Sequence, residues 1–192
     1  MLVDLFISKV RVKVLELFLS NPGQTYHVRD IVRRVGEEIN AVRRELARLE
    51  KTGLLSSEWR ANRRYYGAKR DHIFYFELLS MINKSTGLGG AVLKNRPKLG
   101  KIRYAILSGA FVRGRAYTPN EIDLFIVGTV VLPELGAIVR EEEARRNREI
   151  NFTPMTEEEF AFRKNRRDPF VMRILSKPRV MLIGDEDEMG KL

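Results

Sequence analysis

The chain has no cysteine and only two histidines, His27 and His72. Without thiols there are no disulfides and no thiolate metal sites, which suits a reducing compartment, and two imidazoles are too few to replace them as a metal centre. Each histidine reads as a helix-end or packing residue rather than a ligand. Long apolar runs are missing as well. The stretch from Leu2 to Leu19 is apolar-rich, but Asp4, Lys9, Arg11, Lys13 and Glu16 interrupt it. That excludes a signal peptide or membrane span, so a cytoplasmic protein with no membrane partner is expected. The sequence shows no internal repeat and no P-loop.

What is present is enough for one large domain or two small ones: 192 residues, 44% hydrophobic and 31% charged, the composition of a globular protein rather than a disordered one. Thirty-five Lys and Arg against 25 Asp and Glu leave a net charge of +10. An excess of that size implies a polyanionic partner, and it is concentrated in places.

In the first part of the chain Leu5, Phe6, Val10, Val14, Leu17 and Phe18 recur at helical spacing until Asn21-Pro22-Gly23 stops them. Val28, Ile31, Val32 and Val35 form a second stripe ending at Gly36, and Ile39, Val42, Leu46 and Leu49 a third closing at Gly53. Two short amphipathic helices joined by a tight turn predict a helix-turn-helix. Leu54 to Arg60 and Arg63 to Gly67 then read as a hairpin turning at Ala61-Asn62, with Trp59, Tyr65 and Tyr66 on its strands.

The buried stripe of the third helix sends Asn40, Arg43, Arg44, Ala47 and Arg48 to the opposite face, while the hairpin tip carries Arg60, Asn62, Arg63 and Arg64. Guanidinium forks suit phosphate oxygens and guanine edges, and Asn40 suits adenine in a major groove. Neutralising six phosphates gives a log-log salt slope of about −5. Alternatively these arginines are solvated decoration paired with Glu37, Glu38, Glu45 and Glu50. The stretches Asn21-Pro22-Gly23, Tyr26-His27-Val28-Arg29-Asp30-Ile31 and Val42-Arg43-Arg44-Glu45-Leu46-Ala47-Arg48-Leu49-Glu50 carry a resemblance, from Val3 to Tyr66, to the winged helix of ArsR-type transcriptional regulators. The resemblance implies double-stranded DNA as partner. Metal sensing does not carry over, because the thiols are missing.

Ile73 to Asn83 is dense in aromatic and aliphatic residues and predicts a helix buried on more than one side, between domains or in a dimer. Gly87, Gly89, Gly90, Lys94, Lys98 and Lys101 mark the change of domain, so residues 1–84 and 85–192 are expected to be separate.

Beyond it, Ile102 to Leu107, Ile122 to Val127, Glu149 to Phe152 and Val180 to Ile183 read as strands. Helices are expected over Leu132 to Arg148, from Thr156 with Glu159 completing a capping box, and from Asp168-Pro169. Arg163, Lys164, Arg166 and Arg167 form a basic cluster, read as a solvated helix end or an added nucleic-acid contact. Asp185-Glu186-Asp187-Glu188 reads as a disordered acidic tail.

Within this half, Gly109-Ala110-Phe111-Val112-Arg113-Gly114 followed by Glu121-Ile122-Asp123 resembles the small nucleotidyltransferases of the DNA polymerase beta superfamily, over Lys101 to Ile183. The resemblance implies nucleoside triphosphate held at Gly109, Ala110 and Arg113, and magnesium held by Glu121, Asp123 and a third carboxylate. Residues i and i+2 of a strand share a face, where two carboxylates can hold hard cations that stabilise attacking and leaving oxygens. The sequence departs from the pattern. Ala110 replaces a serine, removing a hydrogen bond worth about 1 kcal/mol, and Glu121 replaces an aspartate, moving the carboxylate by about 1 Å. The third position is Glu149 or Asn151; only the first is an acid.

The expected fold class is α+β, an N-terminal winged helix-turn-helix domain followed by a mixed α/β nucleotidyltransferase-like domain. That order is similar to a family of prokaryotic transcriptional regulators that carry a nucleotidyltransferase domain. It implies a DNA-binding regulator, homodimeric because two winged helices read a palindrome, whose second domain is weakened or silent. The alternatives are a magnesium-dependent enzyme moving a nucleotide from a triphosphate to protein or RNA, and an antitoxin-like module with a protein partner.

Overall fold

Ser8 opens the first described α-helix by accepting a hydrogen bond from the Arg11 amide. The apolar spacing of that helix, α1 (Lys9–Leu19), buries Val12, Val14, Leu15, Phe18 and Leu19. The structure is a computed structural model describing Leu2, residues 6–115 and residues 121–191. Leu5 of the first stripe, and Val3 where the regulator resemblance begins, lie outside the described residues. The protein is a mixed α+β structure with two sheets, and it divides into two compact units, Met1–Thr86 and Gly87–Leu192. Among the described residues no helix is long and apolar enough to cross a membrane.

In the first unit β1 (Thr25–His27) leads into α2 (Val28–Val35), whose N-terminus His27 caps by accepting from the Asp30 amide at 3.4 Å. Gly36 ends the helix at φ +64°, a left-handed conformation that a Cβ disfavours. α3 (Ile39–Lys51) follows and buries Val42, Leu46 and Leu49 against α1 and α2. β2 (Leu55–Arg60) and β3 (Arg63–Ala68) form the hairpin, and β1 adds to β3 to give the order β1-β3-β2, all antiparallel. α4 (Tyr75–Ser85) packs on α1 through Leu79 and Ile82, while Ile73 and Phe74 before it are exposed. The expected helix is thus present, buried along one face.

One acid ties two of these helices together. Glu45 of α3 is buried and accepts from Ser8 and from Arg11 at 2.8 Å, with Arg48 completing its shell. Burial pushes its carboxyl up, but the bonds from Arg11 and Ser8 outweigh burial and hold it below the ordinary glutamate value. A depressed folded value means that the stabilisation is present above the unfolded value and is lost as pH falls through the folded one. Unfolding midpoints followed against pH are therefore expected to fall on the acid side for the wild type, with a shallower acid limb in Glu45→Gln.

The second unit begins with α5 (Gly87–Lys94). This glycine-rich stretch, read from sequence only as the change of domain, is itself a helix, because Leu88 and Val92 pack it against α7 (Leu132–Arg146) and that burial overrides the poor helix propensity of glycine. β4 (Gly100–Ser108), β5 (Leu124–Val130), β6 (Phe152–Met155) and β7 (Arg179–Ile183) form a sheet of order β6-β5-β4-β7. β4 is antiparallel to β5 and β7, and β6 is parallel to β5 after the α7 crossover. Leu124 to Val127 are all buried, so both sheet faces are covered.

On one face Tyr104, Ile106, Phe125 and Val127 meet Met155, Phe160, Val171 and Met189. These come from β6, from α8 (Glu157–Asn165), capped by Thr156, from α9 (Pro169–Ser176), capped by Asp168, and from α10 (Glu186–Gly190). The acidic run expected to be a disordered tail is therefore ordered. Asp185 accepts from the Glu188 amide, Lys164 donates to the Met189 carbonyl, and Met189 is fully buried. Lys164 of the basic cluster is spent on that contact, and Arg163 pairs with Glu159. A second correction concerns β6, which starts at Phe152, so Glu149 and Asn151 precede the strand rather than lying on it.

Candidate functional site

Asn40, Arg43, Arg44 and Ala47 are exposed along α3, opposite its buried stripe. Arg43 and Arg44 make no hydrogen bond or ion pair among the described residues. Their charges help hold Glu38, whose carboxylate caps the Asn40 and Ala41 amides, below the ordinary value. Arg63, at the start of β3, is likewise exposed and unpaired among the described residues. The other predicted contact arginines are engaged. Arg48 pairs with buried Glu45 at 3.2 Å, and Arg60 pairs with Glu58 while lying 4.9 Å over the Tyr65 ring.

Arg64 folds inward. It donates to both carboxylate oxygens of Glu50 at 2.9 Å and to the Ser57 hydroxyl, which itself donates to Glu50. Glu50 thus binds the hairpin to the last turns of α3 and fixes one relative to the other. Burial pushes the neighbouring Tyr66 phenol up while Arg64 and Arg43 pull it down, so helix and hairpin charges converge there. Arg64 is a positioning residue, and the guanidiniums left exposed without a hydrogen bond or ion pair among the described residues of α3 and the hairpin are Arg43 and Arg44, with Asn40 on the same helix, and Arg63 beside the turn. The sequence offered Glu50 among the acids able to pair with these arginines; what it did not indicate is that the Arg64–Glu50 pair docks the hairpin on α3.

In the second unit, Ser108 caps the four-residue helix α6 (Gly109–Val112) by accepting from the Phe111 amide at 3.2 Å. The Gly109 amide donates to the Pro178 carbonyl at 2.7 Å. A Cβ at Gly109 would lie 2.6 Å from that oxygen, so the glycine is needed for the approach of the chain entering β7. Gly109→Ala is expected to cost about 1–3 kcal/mol through overpacking, read as a lower urea midpoint of the second unit. The missing serine of Ala110 is accompanied by a hydroxyl two residues earlier, at Ser108, already used as a cap.

Asp123, just before β5, is buried, and Arg148 Nη2 lies 2.8 Å from its Oδ1. The Asn151 amide donates to Oδ2 at 3.1 Å, while the Asp123 and Leu124 amides donate to the Asn151 carbonyl. Asn151, rather than exposed Glu149, is the residue opposite Asp123. Glu121 accepts from Lys177 at 2.8 Å; this bond, reinforced by the ammonium charge, keeps its carboxyl below the ordinary range. A small pocket is lined by Ser108, Glu121, Asp123, Arg173, Lys177 and Arg179.

The residues present do not fit a two-metal centre. Asp123 and Glu121 each carry a cation, Glu149 is exposed ahead of β6, the position opposite Asp123 is an amide, and among the described residues no three acids or histidines come close enough to hold a metal ion. A divalent cation needs several anionic oxygens, and here it would have to displace an arginine and a lysine. Arg113 lies at the end of α6, half-buried beside this region. Comparison with protein-family models, with curated proteins and with solved structures gives no match for this chain.

Proposed function

We propose that this protein is a DNA-binding transcriptional regulator. In this reading the first unit is a winged helix-turn-helix that grips double-stranded DNA with α3 and the β2–β3 hairpin. The second is a nucleotidyltransferase-like domain whose acids now serve internal ion pairs. The observation that carries the reading is a set of unpaired, exposed guanidiniums, Arg43, Arg44 and Arg63, on two elements that Glu50 holds together. Free cations on a rigid frame suit a polyanion of fixed spacing. A homodimer in the cytoplasm fits the same reading, since two recognition helices match a two-fold operator.

The nucleotidyltransferase-like assignment is supported by the antiparallel β4–β5 pair flanking α6 and by the parallel β6 that follows. Transfer chemistry through magnesium and a triphosphate is not part of the proposal, because Arg148 and Lys177 sit on Asp123 and Glu121. Footprinting on fragments of the protein's own genome tests the reading: discrete protected sites are expected, and absence of protection overturns it. Incubation with each labelled triphosphate is expected to leave no covalent nucleotide on protein or RNA. Labelling that disappears in Asp123→Asn would replace the regulator reading of the second unit with an enzymatic one. A stable protein partner with indifference to DNA would favour an antitoxin-like module.

A further inference from the structure

Trp59 is the only tryptophan of the chain, and 71% of it is exposed. An indole carries more apolar area than almost any other side chain, and most of this one faces water on an ordered strand. It sits on β2 next to the turn, with Arg64 as its cross-strand partner. Strand alternation puts it on the face shared by buried Leu55 and by Ser57, which reaches Glu50 of α3. Trp59 therefore lies on the α3 side of the hairpin, beyond the residues that dock it. No other ring stacks on it among the described residues.

Its surroundings decide what it fits. A protein-docking patch needs contiguous apolar area, and no other exposed large hydrophobic lies on the hairpin. Arg64 stands across the strand on the same face as the ring, and the next residues toward the tip, Arg60 and Arg63, flank the turn from the opposite face, with Ala61 and Asn62 exposed between them. An isolated π-face one residue from a turn that carries exposed guanidiniums is complementary to a nucleobase with its phosphates alongside. We infer that Trp59 stacks on the bases of the duplex, entering as a wedge at a flexible step while Arg63 holds the adjoining phosphate. The inference rests on the DNA-binding reading and adds to it that the hairpin tip touches bases as well as backbone.

A single tryptophan makes the test direct. The full-length protein is titrated with a duplex carrying a footprinted site, following tryptophan emission and the anisotropy of an end-label on the DNA together. Emission is expected to be quenched in step with the anisotropy. Trp59→Ala is expected to lower affinity about tenfold, as removal of one base–aromatic stack does, without changing the slope of log K against log salt. Trp59→Phe retains most of the affinity, whereas Arg63→Ala lowers the slope by about 1. Binding with unchanged emission, or a weakening in Trp59→Ala matched by a change in salt slope, overturns the stacking contact and leaves the DNA reading intact. No rise in anisotropy with the wild type overturns the DNA reading itself.

Discussion

Replacing Arg43 and Arg44 together with alanine is expected to weaken binding to a footprinted site about a hundredfold or more, since each guanidinium on a base edge is worth about 1–3 kcal/mol. The two guanidiniums are exposed, unpaired among the described residues and adjacent on the outer face of α3, so under the proposed DNA-binding function they gain a partner without giving one up. Three free guanidiniums on α3 and the hairpin give a salt slope of about −3 per protomer instead of the −5 implied by six phosphates, and the double variant removes about 2 of it. Because both side chains lie on the solvent side, thermal stability is expected to move by no more than about 0.5 kcal/mol. Arg64→Ala is the contrasting case. It frees Glu50 and loosens the hairpin, so affinity falls through positioning while the slope stays near the wild-type value. Anisotropy titrations at several salt concentrations check both. A double variant that keeps the full slope removes α3 as the phosphate-contacting helix.

The difference between Arg43 and Arg64 also marks how far the chain could be read. Local signals were legible: the α2 stripe closing at Gly36, the Thr156 and Asp168 caps, and the hairpin turning at Ala61-Asn62 all depend on residues a few positions apart. What stayed hidden was set by distant partners. β1 is three residues long and is a strand only because Tyr66 and its neighbours pair with it. The 185–188 run folds because Met189 finds a place under β4 and β5. Arg48 and Arg64 turned inward to Glu45 and Glu50, which the sequence left as an open alternative to DNA contact. At the acidic site Glu121, Ile122 and Asp123 were readable as a motif. The cations that neutralise it, Arg148 and Lys177, come from separate parts of the chain with no spacing to announce them.

Arg148→Ala is expected to destabilise the second unit by about 3–5 kcal/mol, the usual effect of leaving a buried charge without its partner. Asp123 is 6% exposed, and Arg148 is the cation that meets it; without the guanidinium, the side-chain partner left among the described residues is the Asn151 amide on Oδ2. Arg148 also donates to the Arg115 carbonyl and lies 5.1 Å from the centre of the Phe111 ring, so part of the destabilisation is packing, which Arg148→Met retains better than alanine. Asp123→Asn combined with Arg148→Met removes both charges together and is expected to recover much of the stability, since an apolar or neutral pair of similar volume avoids the desolvation cost. Urea unfolding of the two single variants and the double variant separates charge from packing. Magnesium adds a decisive arm. In Arg148→Ala, Glu121 stays engaged by Lys177 and Asn151 contributes no charge, so added magnesium is expected to leave the midpoint unchanged. A midpoint restored by magnesium would mean that Asp123 retains the geometry of a metal ligand masked by a removable arginine, and the silent-domain reading would give way to a regulated nucleotidyltransferase.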